Sequence, residues 1–103
     1  SALFPRSGQL DFQAAQIYYA LDKGEDTYKA LNTAVAKGNL EKPGAVYNFL
    51  AYISFELRRY DEALNAVNQA IALTDLSHDS QLPRLKTAIE DAIKERNALK
   101  NLK

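Results

Sequence analysis

The chain has 103 residues, thirteen basic and thirteen acidic side chains, and no cysteine. Its size suits one small domain, and the balanced charge offers no overall field for nucleic acid or an anionic membrane. Without cysteine there is no disulfide framework, thiolate metal site or cysteine nucleophile, although this leaves cytoplasmic and periplasmic or envelope-associated locations both open. No apolar run approaches the roughly 18 residues that span a bilayer. The opening Ser1-Ala2-Leu3-Phe4-Pro5 has no initiator Met and no basic or apolar leader, and reads as a processed or excised piece of a longer protein. Gly and Pro number only four and three, while Ala, Leu, Lys, Glu and Gln abound. That composition predicts an all-α fold.

Residues 1–8 read as an irregular lead-in, with Pro5 and Gly8 as breakers. Leu10, Ala14, Ile17, Tyr18 and Leu21 recur at helical spacing and predict a first helix from Gln9 or Leu10 to Leu21. A turn over Asp22–Asp26 follows. The second helix is expected after Asp26 or Thr27, either of which can accept a bond from the orphan amides. Its apolar face is Tyr28, Leu31, Ala34 and Val35, and Gly38 ends it. Pro43 suits the first turn of a third helix that runs to about Arg58. Tyr60-Asp61-Glu62 opens a fourth, which continues to about Leu73. A polar segment from Thr74 to Ser80 leads to a last helix starting at Ser80 or Gln81. Its stripe is Leu82, Leu85, Ile89, Ala92, Ile93, Arg96 and Leu99. Five helices with short connections predict antiparallel neighbours.

Residues 44–77 carry the most specific spacing. Tyr47, Leu50, Ala51 and Ser54 are followed by Tyr60, Ala63, Val67 and Ala70, with Asp75 where a helix-ending residue would sit. Ala51 and Ala63 are small where two helices of a hairpin would cross. This pattern resembles the tetratricopeptide repeat, a helix–turn–helix unit of about 34 residues. Ser54 stands where the family has an aromatic, Arg58 where it has Gly, and Asp75 where it has Pro. Ala30-Leu31-Asn32 echoes Ala63-Leu64-Asn65, and Ala15 can stand for Ala51 if the first turn is longer. The resemblance implies a degenerate unit over 9–42, a well-formed one over 43–77 and a capping helix over 78–103, stacked as a short right-handed superhelix. The run ALNTAVAKGNLEKPGAVYNFLAYISFELRRYDEAL is also similar to bacterial tetratricopeptide proteins associated with envelope transport.

Catalytic signals are sparse. His78 beside Asp79 is the single histidine, and no second His, Cys or embedded Ser accompanies it. Asp22, Glu25 and Asp26 lack the alternating ligands of a calcium loop, and no phosphate-cradling Gly motif occurs. Lys86, Lys94, Arg96, Lys100 and Lys103 are interspersed with Glu90, Asp91 and Glu95, as on an ordinary charged helix face. The chain is expected to be neither an enzyme nor a binder of metal, cofactor or nucleic acid.

In a tetratricopeptide stack the first helix of each unit lines the concave surface. The resemblance therefore implies a peptide or protein groove formed by Asn48, Tyr52, Phe55 and Glu56, with Phe12, Gln16 and Tyr19 beside them. Aromatic rings supply contact area and Asn can hold a peptide backbone. The alternative expectation is a structural, self-associating domain in which the same stripe is buried between chains or against further repeats.

Overall fold

The computed structural model describes residues 7–75 and 81–102. Five helices succeed one another: α1 (Gln9–Ala20), α2 (Gly24–Lys37), α3 (Pro43–Glu56), α4 (Tyr60–Ala72) and α5 (Gln81–Lys100). No strand occurs among the described residues. The start of α1 lies against the end of α2, where the Gly8 amide donates to the Gly38 carbonyl at 2.8 Å. The start of α3 meets the end of α4 in the same way, with Gly44 beside Leu73 and Thr74. Each pair is thus an antiparallel hairpin. Helix α3 also packs on α2, and α5 packs on α4 and reaches α3. The result is elongated, 53 × 33 × 22 Å with a radius of gyration of 14.8 Å, against about 13 Å for a compact domain of this length.

The hairpin turns explain the helix start and the helix end that the sequence misplaces. Helix α1 closes with the Asp22 amide on the Tyr19 carbonyl (3.0 Å) and the Lys23 amide on the Tyr18 carbonyl (2.9 Å). This is a Schellman cap with Asp22 in the left-handed region, φ 61°. The chain is then aimed straight into α2, which begins at Gly24, ahead of Asp26 and Thr27. Thr27 is no cap: it is fully buried, and its hydroxyl donates to the Lys23 carbonyl at 2.8 Å. Helix α3 ends likewise at Glu56, earlier than Arg58, with Arg58 at φ 63° and the Arg59 amide on the Ser54 carbonyl at 2.8 Å.

These two turns stand 36 positions apart, and so does the packing around them. Ala15 and Ala51, Leu31 and Val67, and Ala34 and Ala70 are all fully buried, as are Thr27 and Ala63. Gly8 and Gly44 both sit where the first helix of a hairpin meets the end of the second. The internal repeat is therefore offset by 36 residues, and Ala30-Leu31-Asn32 aligns with Ala66-Val67-Asn68, not with the 63–65 segment. A chance identity of three residues produces the wrong offset; burial corrects it.

Polar contacts tie one unit to the next. The Arg59 guanidinium reaches Glu25 at 2.9 Å and lies 4.2 Å over the Tyr28 ring. The Tyr28 hydroxyl donates to Glu62. Farther along, Arg96 meets Asp61 at 3.3 Å. Being exposed, each such pair adds at most about 1 kcal/mol, and orients more than it stabilises.

Two expectations about the core change. The predicted α1 face, Leu10, Ala14, Ile17, Tyr18 and Leu21, does not point inward; Leu10, Ile17 and Leu21 are 61, 61 and 60% exposed, and Ala15 is the buried residue. Gly8 is not a loose lead-in either. It is buried, and a Cβ there would lie 2.1 Å from the Ala34 carbonyl oxygen. On α5, by contrast, Leu82 and Ile89 are buried as the stripe predicts, while Leu99 is exposed.

Gly8→Ala is expected to destabilise by about 1–3 kcal/mol, since backbone must move. Gly44→Ala should cost less, because its nearest obstacle is the Thr74 hydroxyl, a side-chain atom, at 2.6 Å. Denaturant titration that ranks the two in the reverse order would contradict this packing. Ser54 provides an opposite case: it is fully buried and its Oγ has no hydrogen-bond partner among the described residues. Ser54→Ala removes an unsatisfied group and should raise stability by up to about 1 kcal/mol, read as a higher denaturation midpoint.

Candidate functional site

One side of the stack is formed by α1, α3 and α5, the first helices of successive units. Phe49 of α3 lies between two α1 rings, with its centroid 6.5 Å from Phe12 and 5.3 Å from Tyr19. Both pairs are edge-to-face, interplanar 78° and 89°, the arrangement favoured by ring quadrupoles. On the other flank of α3, Ala45, Asn48, Phe49 and Tyr52 form a cleft with Gln81 and Leu85 of α5, of about 390 Å³. Tyr52 is thus at the centre of a surface that reaches from α1 to α5.

Its hydroxyl is the polar hub. It is hydrogen-bonded to the Tyr19 hydroxyl and to the Glu56 carboxylate, and these bonds, aided by the Glu56 charge, push its ionisation up to about 12. The phenol is held neutral because ionisation would give up the one proton it can donate and set its charge against the Glu56 carboxylate. Tyr52 remains 41% exposed and Tyr19 45% exposed, so both present ring surface outward while their hydroxyls are engaged.

Of the seven residues the resemblance marks, Asn48, Tyr52, Glu56 and Tyr19 come together here, and Phe12 joins through Phe49. Gln16 is exposed on the same side of α1. Phe55 goes elsewhere. Its ring packs on Tyr60, centroids 5.8 Å apart, at the mouth of the α3–α4 turn. The equivalent of that pair one unit earlier is Tyr19 and Gly24. With no ring at Gly24 to hold it, Tyr19 is free to reach across to Phe49 and Tyr52.

Phe49 is the residue that sequence reasoning passed over. It lies one turn before Tyr52 on α3, so the helical wheel could have placed it; its partly buried state makes it resemble core. In the sequence, Leu85 and Gln81 stand out only as parts of the last helix.

Elsewhere, Asp22, Glu25 and Asp26 act in the first hairpin turn and in the Glu25–Arg59 pair. Among the described residues, no group of three or more His, Cys, Asp or Glu side chains is disposed to hold a metal ion. His78 and Asp79 lie outside the described residues. Among the described residues, no helix is long and apolar enough to cross a membrane. Comparison with family models, curated proteins and solved structures finds no match for the chain.

The raised Tyr52 pKa has a defined consequence. Unfolded, the phenol ionises near 10.0; folded, at about 12. The folded state therefore holds a proton that the unfolded state releases, so this contribution is complete below pH 10 and is lost as pH rises towards 12. Tyr28, whose pKa is raised mainly by its hydrogen bond to Glu62, acts in the same direction. Tyr52→Phe should reduce, without abolishing, the fall in denaturation midpoint between pH 10 and 12. An unaltered pH profile would contradict the hydrogen-bonded hub.

Proposed function

We propose that the chain is a non-enzymatic interaction module of the tetratricopeptide type, and that it binds a peptide or protein segment along the surface formed by α1, α3 and α5. The observation that carries the reading is the Tyr19–Tyr52–Glu56 network beside the Phe49 ring and the Asn48 cleft. Large aromatic faces held in place by engaged hydroxyls offer contact area at little cost in conformational freedom. Asn48 supplies an amide donor and acceptor for a peptide backbone. Glu56 favours a cationic or hydrogen-bond-donating group nearby.

The repeat supports the family reading in part. Within each hairpin the spacing follows the tetratricopeptide pattern, since twelve positions separate Ala15 from Thr27 and Ala51 from Ala63. Between hairpins the period is 36 residues, longer than the family's usual 34 or so. The left-handed Arg58, where the family has Gly, is accommodated by the same cap that Asp22 makes.

Peptides selected on the protein from a random display library provide the test. Asn48→Ala combined with Tyr52→Ala should weaken the selected peptides at least tenfold, about 1.4 kcal/mol, with helical circular dichroism unchanged. Equal affinity in the double variant would remove this surface as the binding site.

A further inference from the structure

A second face of α1 points away from the aromatic surface it shares with α3. Leu10, Ile17 and Leu21 are 61, 61 and 60% exposed. The residues 36 positions on are Val46 and Ile53, each 1% exposed, and Leu57, which is half-buried. At 72 positions on they are Leu82 and Ile89, 2 and 0% exposed. The same wheel positions are thus aliphatic in all three helices, and are covered where α3 meets α2 and where α5 meets α4. In α1 alone of the three they are bare.

That bare face is also free of charge. Between Asp11 and Asp22 helix α1 has no acidic or basic residue, and Asp11 is turned away to Lys37 at 3.0 Å. Charge depletion around large apolar side chains is the composition of an interface core.

We propose that this face pairs with the same face of a second copy of the chain, α1 against α1, antiparallel across a two-fold axis. The stripe Leu10, Ala14, Ile17, Leu21 has steps of four, three and four residues, and so reads alike in both directions. Antiparallel pairing sets Leu10 against the partner's Leu21 and Ala14 against the partner's Ile17. Large meets small at the crossing, which lets the backbones approach, and the contact is self-complementary as a two-fold interface requires. Asp22 of each copy then falls beside the partner helix's positive N-terminus. Twelve residues of helix give about 18 Å of contact length. That is at the small end of specific interfaces, below about 1,200 Å² in total, so a dissociation constant on the order of 10–500 μM is expected. Tyr19 and Tyr52 lie on another side and stay exposed, so this pairing does not depend on the peptide-binding reading.

Sedimentation equilibrium from about 10 μM to 1 mM tests it. The mean mass should rise from 11.5 kDa towards twice that value. Ile17→Lys, at a site exposed in the monomer, should weaken association at least tenfold with helicity intact, and Tyr52→Ala should leave association unchanged. Because the natural chain has no cysteine, single cysteines report the geometry. A mixture of the Leu10→Cys and Leu21→Cys proteins should form the mixed disulfide dimer in preference to either homodimer. A monomer at every concentration, association untouched by Ile17→Lys, or cross-linking of Leu10→Cys mainly to itself would each overturn the proposal.

Discussion

Everything in this fold depends on how closely two helices of a hairpin can approach. Ala15, Ala34, Ala51, Ala63 and Ala70 are all fully buried, and none has a side chain longer than a methyl group. Gly8 goes further, touching the Ala34 backbone at a distance that forbids even that. Small residues here do not merely fill a core. They set the interaxial distance, and that distance leaves room for only one ring of larger side chains around each crossing: Leu31, Val46, Leu50, Ile53 and Val67.

Because the same buried contacts and the same turn recur in both hairpins, the chain is quasi-one-dimensional. Each unit's first helix has one side against its own hairpin partner and the opposite side against the unit before it. For α3 both sides are covered, and its buried set accordingly includes Ala51 on one and Val46 and Ile53 on the other. For α1 only Ala15 is buried. Its remaining aliphatics are not a packing defect; they hold the positions at which α3 is buried, with no neighbour among the described residues.

This also explains what was legible in the sequence. Hairpins leave a local signature of small residues, aliphatics and turn formers, so five helices, their order and the Ala51–Ala63 crossing could be read directly. Helix starts at 24 and ends at 56 could not, because Asp22 and Arg58 adopt a left-handed cap that composition assigns to Gly. Periodicity marks a stripe as apolar without saying whether anything covers it, which is why Leu10, Ile17 and Leu21 read as core. The repeat offset was misread for a related reason. Three matching letters at 33 residues outweighed a 36-residue pattern written in Ala–Ala, Leu–Val and Asp–Arg equivalences, which share size or conformation and not identity.

The aromatic surface arises where the two units differ, not where they agree. Position for position, Tyr19 corresponds to Phe55 and Gly24 to Tyr60. In the second unit the two rings hold each other at the turn, and Phe55 is spent on packing. In the first unit Gly24 offers no ring, so Tyr19 swings to Phe49 and lends its hydroxyl to Tyr52. A strictly repeated sequence would have closed both turns and left Tyr52 without Tyr19. The degeneracy of the first unit, which weakens its likeness to the second, is therefore what connects α1 to α3 on the side they share. By the same logic, placing a ring at Gly24 would draw Tyr19 back to its own turn and separate the network without touching a residue of the cleft.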